Sequence, residues 1–223
     1  MVAGTDENRS HEAYDLRACN VRVIEMKKKR FWYPLTNIKN RFLFGEYGRD
    51  VYIGPGVVIN RPRLVSLGDR VRIIRNTNIN LHPLDKDSSD RILLTVGNGT
   101  IISENCYISA CNSIIIEDNV GISPNVMIID ATRKPGDIDL PYKEARVTKV
   151  GYVKIEAESW IAYSACIFPN VTIGRHSIVG ALSVVNTDIP PYSVAVGAPA
   201  KVVKRYDFDR QEWVRVGQGE KES

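Results

Sequence analysis

Residues 155–191 read IEAESW IAYSAC IFPNVT IGRHSI VGALSV VNTDIP P. Cut into sixes, the stretch puts Ile155, Ile161, Ile167, Ile173, Val179 and Val185 in its first column. Its fifth column holds Ser159, Ala165, Val171, Ser177 and Ser183. A helix repeats every 3.6 residues and a strand every two, so neither alone accounts for a period of six. A strict hexad repeat is the signature of a parallel β-helix, in which each hexad forms one flat side of a triangular coil. The first position then points into a narrow prism and must be branched and apolar. The fifth also faces inward, near a corner, and must be small. The second position is expected at the turn, where Gly174 and Gly180 would supply positive φ at no steric cost.

Working outward, hexads begin at Ile53 and continue to Arg133, with two-residue slips at Val65-Ser66 and Ile114-Ile115. Two polar, turn-rich breaks interrupt them, at 82–91 and 133–152, and read as loops thrown out from corners. Loops on a rigid scaffold are where sites are usually built. The expected organisation is an all-β solenoid over 51–191 and an N-terminal extension with cap over 1–50. Residues 192–223 make an exit turn at Gly197-Ala198-Pro199 and a short tail, read as helical from about Asp209.

The first coil of a solenoid needs cover. Phe31, Trp32, Tyr33, Phe42, Leu43 and Phe44 can provide it. The alternative for residues 27–44 is peripheral contact with a membrane surface, through these aromatics and the basic run Lys27–Arg30. No apolar run approaches about 18 residues, so no span is expected. The polar N-terminus does not read as a secretory signal, which points to the cytoplasm, peripheral to the inner face of the membrane if that contact is made. A net charge of +4 is too mild to argue for nucleic acid. Cys19, Cys106, Cys111 and Cys166 form no CxxC, and His11, His82 and His176 are widely spread, so no metal site is expected. Cys106 and Cys166 are read as inward, buried thiols.

The C-terminal half carries Trp160-Ile161-Ala162, Pro169-Asn170-Val171-Thr172-Ile173-Gly174, Val179–Val185, Asp188-Ile189-Pro190-Pro191 and Val196–Arg205. In these words the chain resembles the hexapeptide-repeat acyltransferases of the left-handed β-helix type. Within them it is most similar to polysaccharide and sugar O-acetyltransferases and to maltose and galactoside acetyltransferases. The resemblance covers about residues 50–205. It implies a homotrimer with acetyl-CoA as co-substrate in the groove between prisms, and a sugar or glycan acceptor. By motif position it places Trp160, Tyr163, Ala181, Ser183, Asn186, Gly197, Lys201, Lys204 and Arg205 along the cofactor. The last three are cations able to meet its phosphates.

The family's catalytic base is a histidine in a corner loop, and here that position holds Arg133. Arginine stays protonated in proteins and cannot take a hydroxyl proton. The candidate bases are therefore His82, at the head of the other loop, and Asp130. Arg133, Cys111 and Asn112 are candidates for holding the acceptor, with Arg133 suited to a carboxylate or phosphate. His176 reads as a surface residue at a corner. A non-catalytic trimer that binds a glycan or partner protein is the competing expectation.

Overall fold

A computed structural model describes residues 41–84, 91–133 and 147–216, without the side chains of 147–149. Each regular hexad puts strand at its sixth and first positions and a tight turn at its third and fourth, as in Trp160-Ile161 followed by Tyr163-Ser164. Three hexads close one coil, and coils stack in parallel register into a left-handed β-helix. Side one stacks Glu46–Tyr47, Val65–Leu67, Leu94–Val96, Ile114–Ile116, Val153–Ile155 and Val171–Ile173. Side two stacks Tyr52–Ile53, Arg72–Ile73, Ile101–Ile102, Gly121–Ile122, Trp160–Ile161, Ile178–Val179 and Ser193–Val196. Side three stacks Val58–Ile59, Asn78–Leu81, Tyr107–Ala110, Met127–Ile129, Cys166–Ile167 and Val184–Val185.

The prism interior is the core. All six first-column residues of the opening stretch are fully buried, and its fifth column is at most 2% exposed. Burying a branched aliphatic side chain contributes about 1.5–3 kcal/mol, so the column is a main source of stability. The fifth-column hydroxyls are satisfied between coils. Thr77, Thr100, Ser159 and Ser177 donate to the carbonyls of Ser103, Glu117, Gly174 and Pro190 at 2.7–3.0 Å.

Several features differ from the sequence expectation. Positive φ falls at the fourth hexad position, in Asn76, Asn105, Asn125, Glu158, Ser164, His176 and Leu182, with φ between 54° and 62°. Gly174 and Gly180 have no positive φ; they are small because neighbouring coils press on them. A Cβ on Gly174 would lie 2.3 Å from the Pro191 nitrogen, and one on Gly180 2.7 Å from Val196 Cγ1. Coiling begins at Glu46 and continues through Val196, beyond both expected ends. The tail is no helix: Lys201–Asp207 and Glu212–Arg215 form an antiparallel hairpin on the edge of side two. Asp207 Oδ1 accepts the Asp209 and Arg210 N–H groups at 3.0 Å and closes its turn.

Residues 1–40, including Phe31, Trp32 and Tyr33, lie outside the described residues, as does Cys19. Of the expected cap, Phe44 packs into the core beside Tyr47, whereas Phe42 and Leu43 are exposed. Among the described residues no helix is long and apolar enough to cross a membrane.

Candidate functional site

The corner between sides three and one collects the irregularities of the repeat. The slips fall there, between Ile59 and Leu67 and between Ile108 and Ile116. Both loops leave there too, after Leu81 and after Asp130, the second opening with the antiparallel pair Ala131–Arg133 and Val147–Val150. His82 is exposed; its N–H donates to the Ala110 carbonyl at 2.8 Å, which seats it one coil below Cys111. Below it, the Asn60 side chain brackets Leu81, accepting its N–H at 2.9 Å and donating to its carbonyl at 3.2 Å. The Arg61 guanidinium donates to that same carbonyl. Arg91 donates to the Asn112 carbonyl at 2.6 Å and to its side-chain oxygen. Asn112 Nδ2 in turn donates to the Gly151 carbonyl at 2.8 Å. Arg133 is exposed on the outgoing hairpin. The fold thus brings His82, Cys111, Asn112, Asp130 and Arg133 to one corner.

Asp130 takes a different part from the base expected of it. It is fully buried. Its Oδ1 accepts the Cys111 N–H at 2.7 Å, and its Oδ2 accepts those of Asn112 and Ser113 at 2.8 and 2.7 Å. A carboxylate so occupied, with no exposed surface, offers no oxygen to an acceptor hydroxyl, and its geometry is that of a turn anchor. Burial first, and the nearby Asp130 charge second, hold the Cys111 thiol above its ordinary pKa, which keeps it protonated. Cys106 is inward and its thiol is pushed up to about 11 by burial. Cys166, expected inward, is half-buried at the sixth position.

Side two, its corner with side three and the hairpin carry all but two of the residues matched to the cofactor. Trp160 is 51% exposed, and its indole N–H donates to Ser123 Oγ at 2.9 Å, one coil below. Gly121 lies against the ring: a Cβ there would stand 3.4 Å from Trp160 Cδ1. Tyr163, 50% exposed, has its hydroxyl bonded to Asn125 Nδ2 at 2.7 Å. Both rings are thus pinned by bonds their hexads did not advertise. Ala181 stacks over Tyr163 at the corner between sides two and three. Strand register puts Trp160, Ile178, Val194, Lys204 and Arg215 in one row across side two and the hairpin. Lys201 and Arg205 are exposed on the same hairpin strand, and Gly197, at φ 102°, opens the exit turn.

Two matched residues stand elsewhere. Ser183 is fully buried in the prism, where its hydroxyl accepts the Gly197 N–H at 3.1 Å; it braces the exit turn and cannot touch a ligand outside. Asn186 follows Val185 at the insertion corner, away from Trp160. His176 is exposed and stacks on Tyr192 with ring centroids 5.3 Å apart. Arg61, Arg91 and Arg215 escaped the sequence reading, because no motif marks them and only strand register and loop closure bring them to these surfaces. Among the described residues no group of three or more His, Cys, Asp or Glu could hold a metal.

No family model matches the chain. Over 157 residues it is 36% identical to a Mycobacterium tuberculosis protein named "Probable acetyltransferase", covering 69% of this chain and 49% of that one. Over 134 residues it is 37% identical to a Staphylococcus aureus protein provisionally named an acetyltransferase, covering 60% of this chain and 64% of the relative. A solved hexapeptide-repeat-containing acetyltransferase of Vibrio cholerae, complexed with acetyl-coenzyme A, matches at 26% identity and TM-score 0.53, over 75% of this chain and 74% of that one. This chain is a hexapeptide-repeat protein similar to acetyltransferases. A maltose O-acetyltransferase from Clostridium difficile matches the hexapeptide-repeat chain at 26% identity and TM-score 0.51, over 81% of it and 80% of the neighbour. The N-acyltransferase AntD from Bacillus cereus, in complex with dTDP and 3-hydroxybutyryl-CoA, shares its fold at TM-score 0.66 and 23% identity, over 80% and 91% of the two chains. The chain spans between about half and two thirds of the length of the curated relatives it matches.

Proposed function

We propose that this chain transfers an acetyl group from acetyl-CoA to a hydroxyl or amine of a sugar, in glycan or surface-polysaccharide assembly, and works as a homotrimer. The observation that carries the reading is the row on side two. There a pinned, half-exposed indole and a cationic hairpin lie on one straight face, in a chain whose neighbours include an acetyl-CoA complex. The sugar acceptor rests on likeness to the maltose O-acetyltransferase. In a triangular prism, side two lies opposite the corner where sides three and one meet. One chain therefore cannot present its own row and its own His82 to the same thioester, and a neighbouring prism must supply one of them. Asn186, out of place for its own chain's row, then lies on the neighbour's wall of the groove with His82.

In this reading the pantetheine arm lies along Trp160, Tyr163 and Ala181. The phosphates meet Lys201, Lys204 and Arg205, close to the backbone of Gly197. His82 accepts the proton of the acceptor hydroxyl as its oxygen attacks the thioester carbonyl carbon. The new C–O bond forms, the C–S bond breaks, and the departing thiolate takes the proton back from the imidazolium. Cys111 and Asn112 border the acceptor. Arg133 stays charged and serves binding, not proton transfer.

Calorimetry with acetyl-CoA tests the groove; no heat at millimolar ligand would refute the transferase. Thiol release against a sugar panel tests the base: His82→Ala should lower kcat about 10²–10⁴-fold. The arginine at the usual base position favours a second reading, a glycan-binding trimer without turnover. Sugar binding without acetyl-CoA binding would establish it.

A further inference from the structure

Four described arginines gather at the insertion corner. Arg61 and Arg63 come from the first crossing of this corner, Arg91 returns from the second, and Arg133 leaves at the fourth. All four are exposed. Among the described residues, Arg61, Arg63 and Arg91 pair with no carboxylate; the ion pairs there lie elsewhere. The described carboxylates at the corner are Asp130, which is buried and holds three backbone N–H groups, and Asp188, which lies four crossings above that of Arg91 and accepts the Thr172 N–H at 2.6 Å.

Among the described residues, what fixes two of these guanidinium groups is neutral. Arg61 leans on the Leu81 carbonyl, one residue before His82, and Arg91 on the carbonyl and side chain of Asn112. A guanidinium has five N–H donors in a rigid fork. Held by one or two neutral oxygens, it keeps its full charge and has donors left over. Its position is also set before any ligand arrives, so little rotamer freedom is lost on binding. An arginine that merely solubilised a loop would need no such fastening. The fastened pair flank His82 and Asn112, the groups assigned here to the acceptor.

We infer that the acceptor carries an anionic group, a phosphate ester or a carboxylate, gripped by Arg61 and Arg91 beside His82. This rests on the transferase reading for the chemistry, but the anion site can be tested without turnover. The anionic group is bound and not consumed, so no bond to it forms or breaks.

The test uses the full-length protein and three matched sugars: a neutral hexose, its 1-phosphate and its uronic acid. Calorimetry should show binding of one or both anionic sugars, at least tenfold tighter than the hexose and weakened by added salt. A preference between phosphate and uronate identifies which anion is used. Arg91→Ala and Arg61→Ala should each weaken the anionic sugar about tenfold or more and leave the hexose unaffected. Arg91→Lys, which keeps the charge but not the fork, should restore part of the loss. In thiol release the same variants should raise KM for the anionic acceptor with kcat little changed, and acetyl-CoA affinity should not move. Equal binding of all three sugars, or unaltered binding in both alanine variants, would overturn the anion site and leave the transferase standing. If the protein binds no acetyl-CoA but still selects anionic sugars through Arg91, the transferase fails and the anion site stands.

Discussion

Replacing Asp130 separates an anchor from a base. Its carboxylate accepts three N–H bonds from consecutive residues, at 2.7–2.8 Å, and is itself fully buried. Asp130→Ala removes both acceptor oxygens and leaves all three donors unpaired. Leaving a buried donor unpaired costs about 1–3 kcal/mol, and water at the corner can recover part of that. The sum comes to about 3–5 kcal/mol, a large share of a typical stability. Asp130→Asn keeps the shape but turns one oxygen into a donor. In the better orientation the amide oxygen stays at Oδ2, keeps the Asn112 and Ser113 bonds, and loses that of Cys111. That costs about 1–3 kcal/mol. Urea unfolding followed by circular dichroism should therefore rank wild type, Asn, Ala in falling midpoint, with the slope unchanged. Protein concentration must be held fixed, because assembly adds to apparent stability. If the aspartate were the base, both variants would fold normally and lose turnover. An Asp130→Ala protein within about 1 kcal/mol of wild type would refute the anchor.

The coil geometry gives further tests. Gly174→Ala forces a Cβ to 2.3 Å from the Pro191 backbone and should cost about 1–3 kcal/mol by thermal unfolding, whereas a neutral effect would mean the coils can part. Leu182 is 70% exposed at φ 60°, so Leu182→Asn should gain up to about 1 kcal/mol; a lower Tm would disprove the claimed cost of that turn. With its pKa near 11, Cys106 should resist alkylation at pH 8, its rate rising about tenfold per pH unit until it levels off near pH 11. Labelling of Cys106 at pH 8 as fast as a free cysteine would contradict its burial. Trp160→Ala should raise KM for acetyl-CoA about tenfold, whereas Ser183→Ala should lower stability and leave KM alone; the opposite pattern would mean the two residues have been assigned to the wrong sides of the wall.

The hexad columns were legible because a narrow prism admits few side chains at two of its six positions, and Ile155 to Val185 obey that limit without exception. The turns were less so. Sequence puts glycine at the second position and invites a positive φ there, but Gly174 answers to the pressure of Pro191, and left-handed backbone falls to residues such as His176 and Leu182. The tail misled for a chemical reason. Asp209 followed by Glu212 resembles a helix start, yet an aspartate that caps backbone N–H groups serves a hairpin turn equally well, and Asp207 does so here. For the candidate site, sequence could place His82 and Arg133 at loop heads. It could not tell that Asp130 faces inward, because one residue's shift at a corner exchanges inside for outside.

That exchange follows from how a solenoid lets its chain depart. On every side, a strand's N–H groups donate to carbonyls of the adjacent coil, and two of the corners continue the same ladder. Asn105 donates to Arg75, Asn125 to Glu104, Ser164 to Pro124 and Leu182 to Tyr163, at 2.9–3.1 Å. Where a loop leaves, the next carbonyl is missing and the coil below has orphaned donors. Past Asp130 the chain runs out along its hairpin, and the donors of Cys111, Asn112 and Ser113 are met by the Asp130 carboxylate instead. Past Leu81 the ladder still holds for one more residue, since the His82 N–H reaches Ala110, and Asn60 and Arg61 serve the Leu81 carbonyl from below. The second departure therefore needs its leading side chain inside, whereas the first does not. Of the two loop-leading candidates, His82 is the one whose side chain is left at the surface, where an acceptor can reach it.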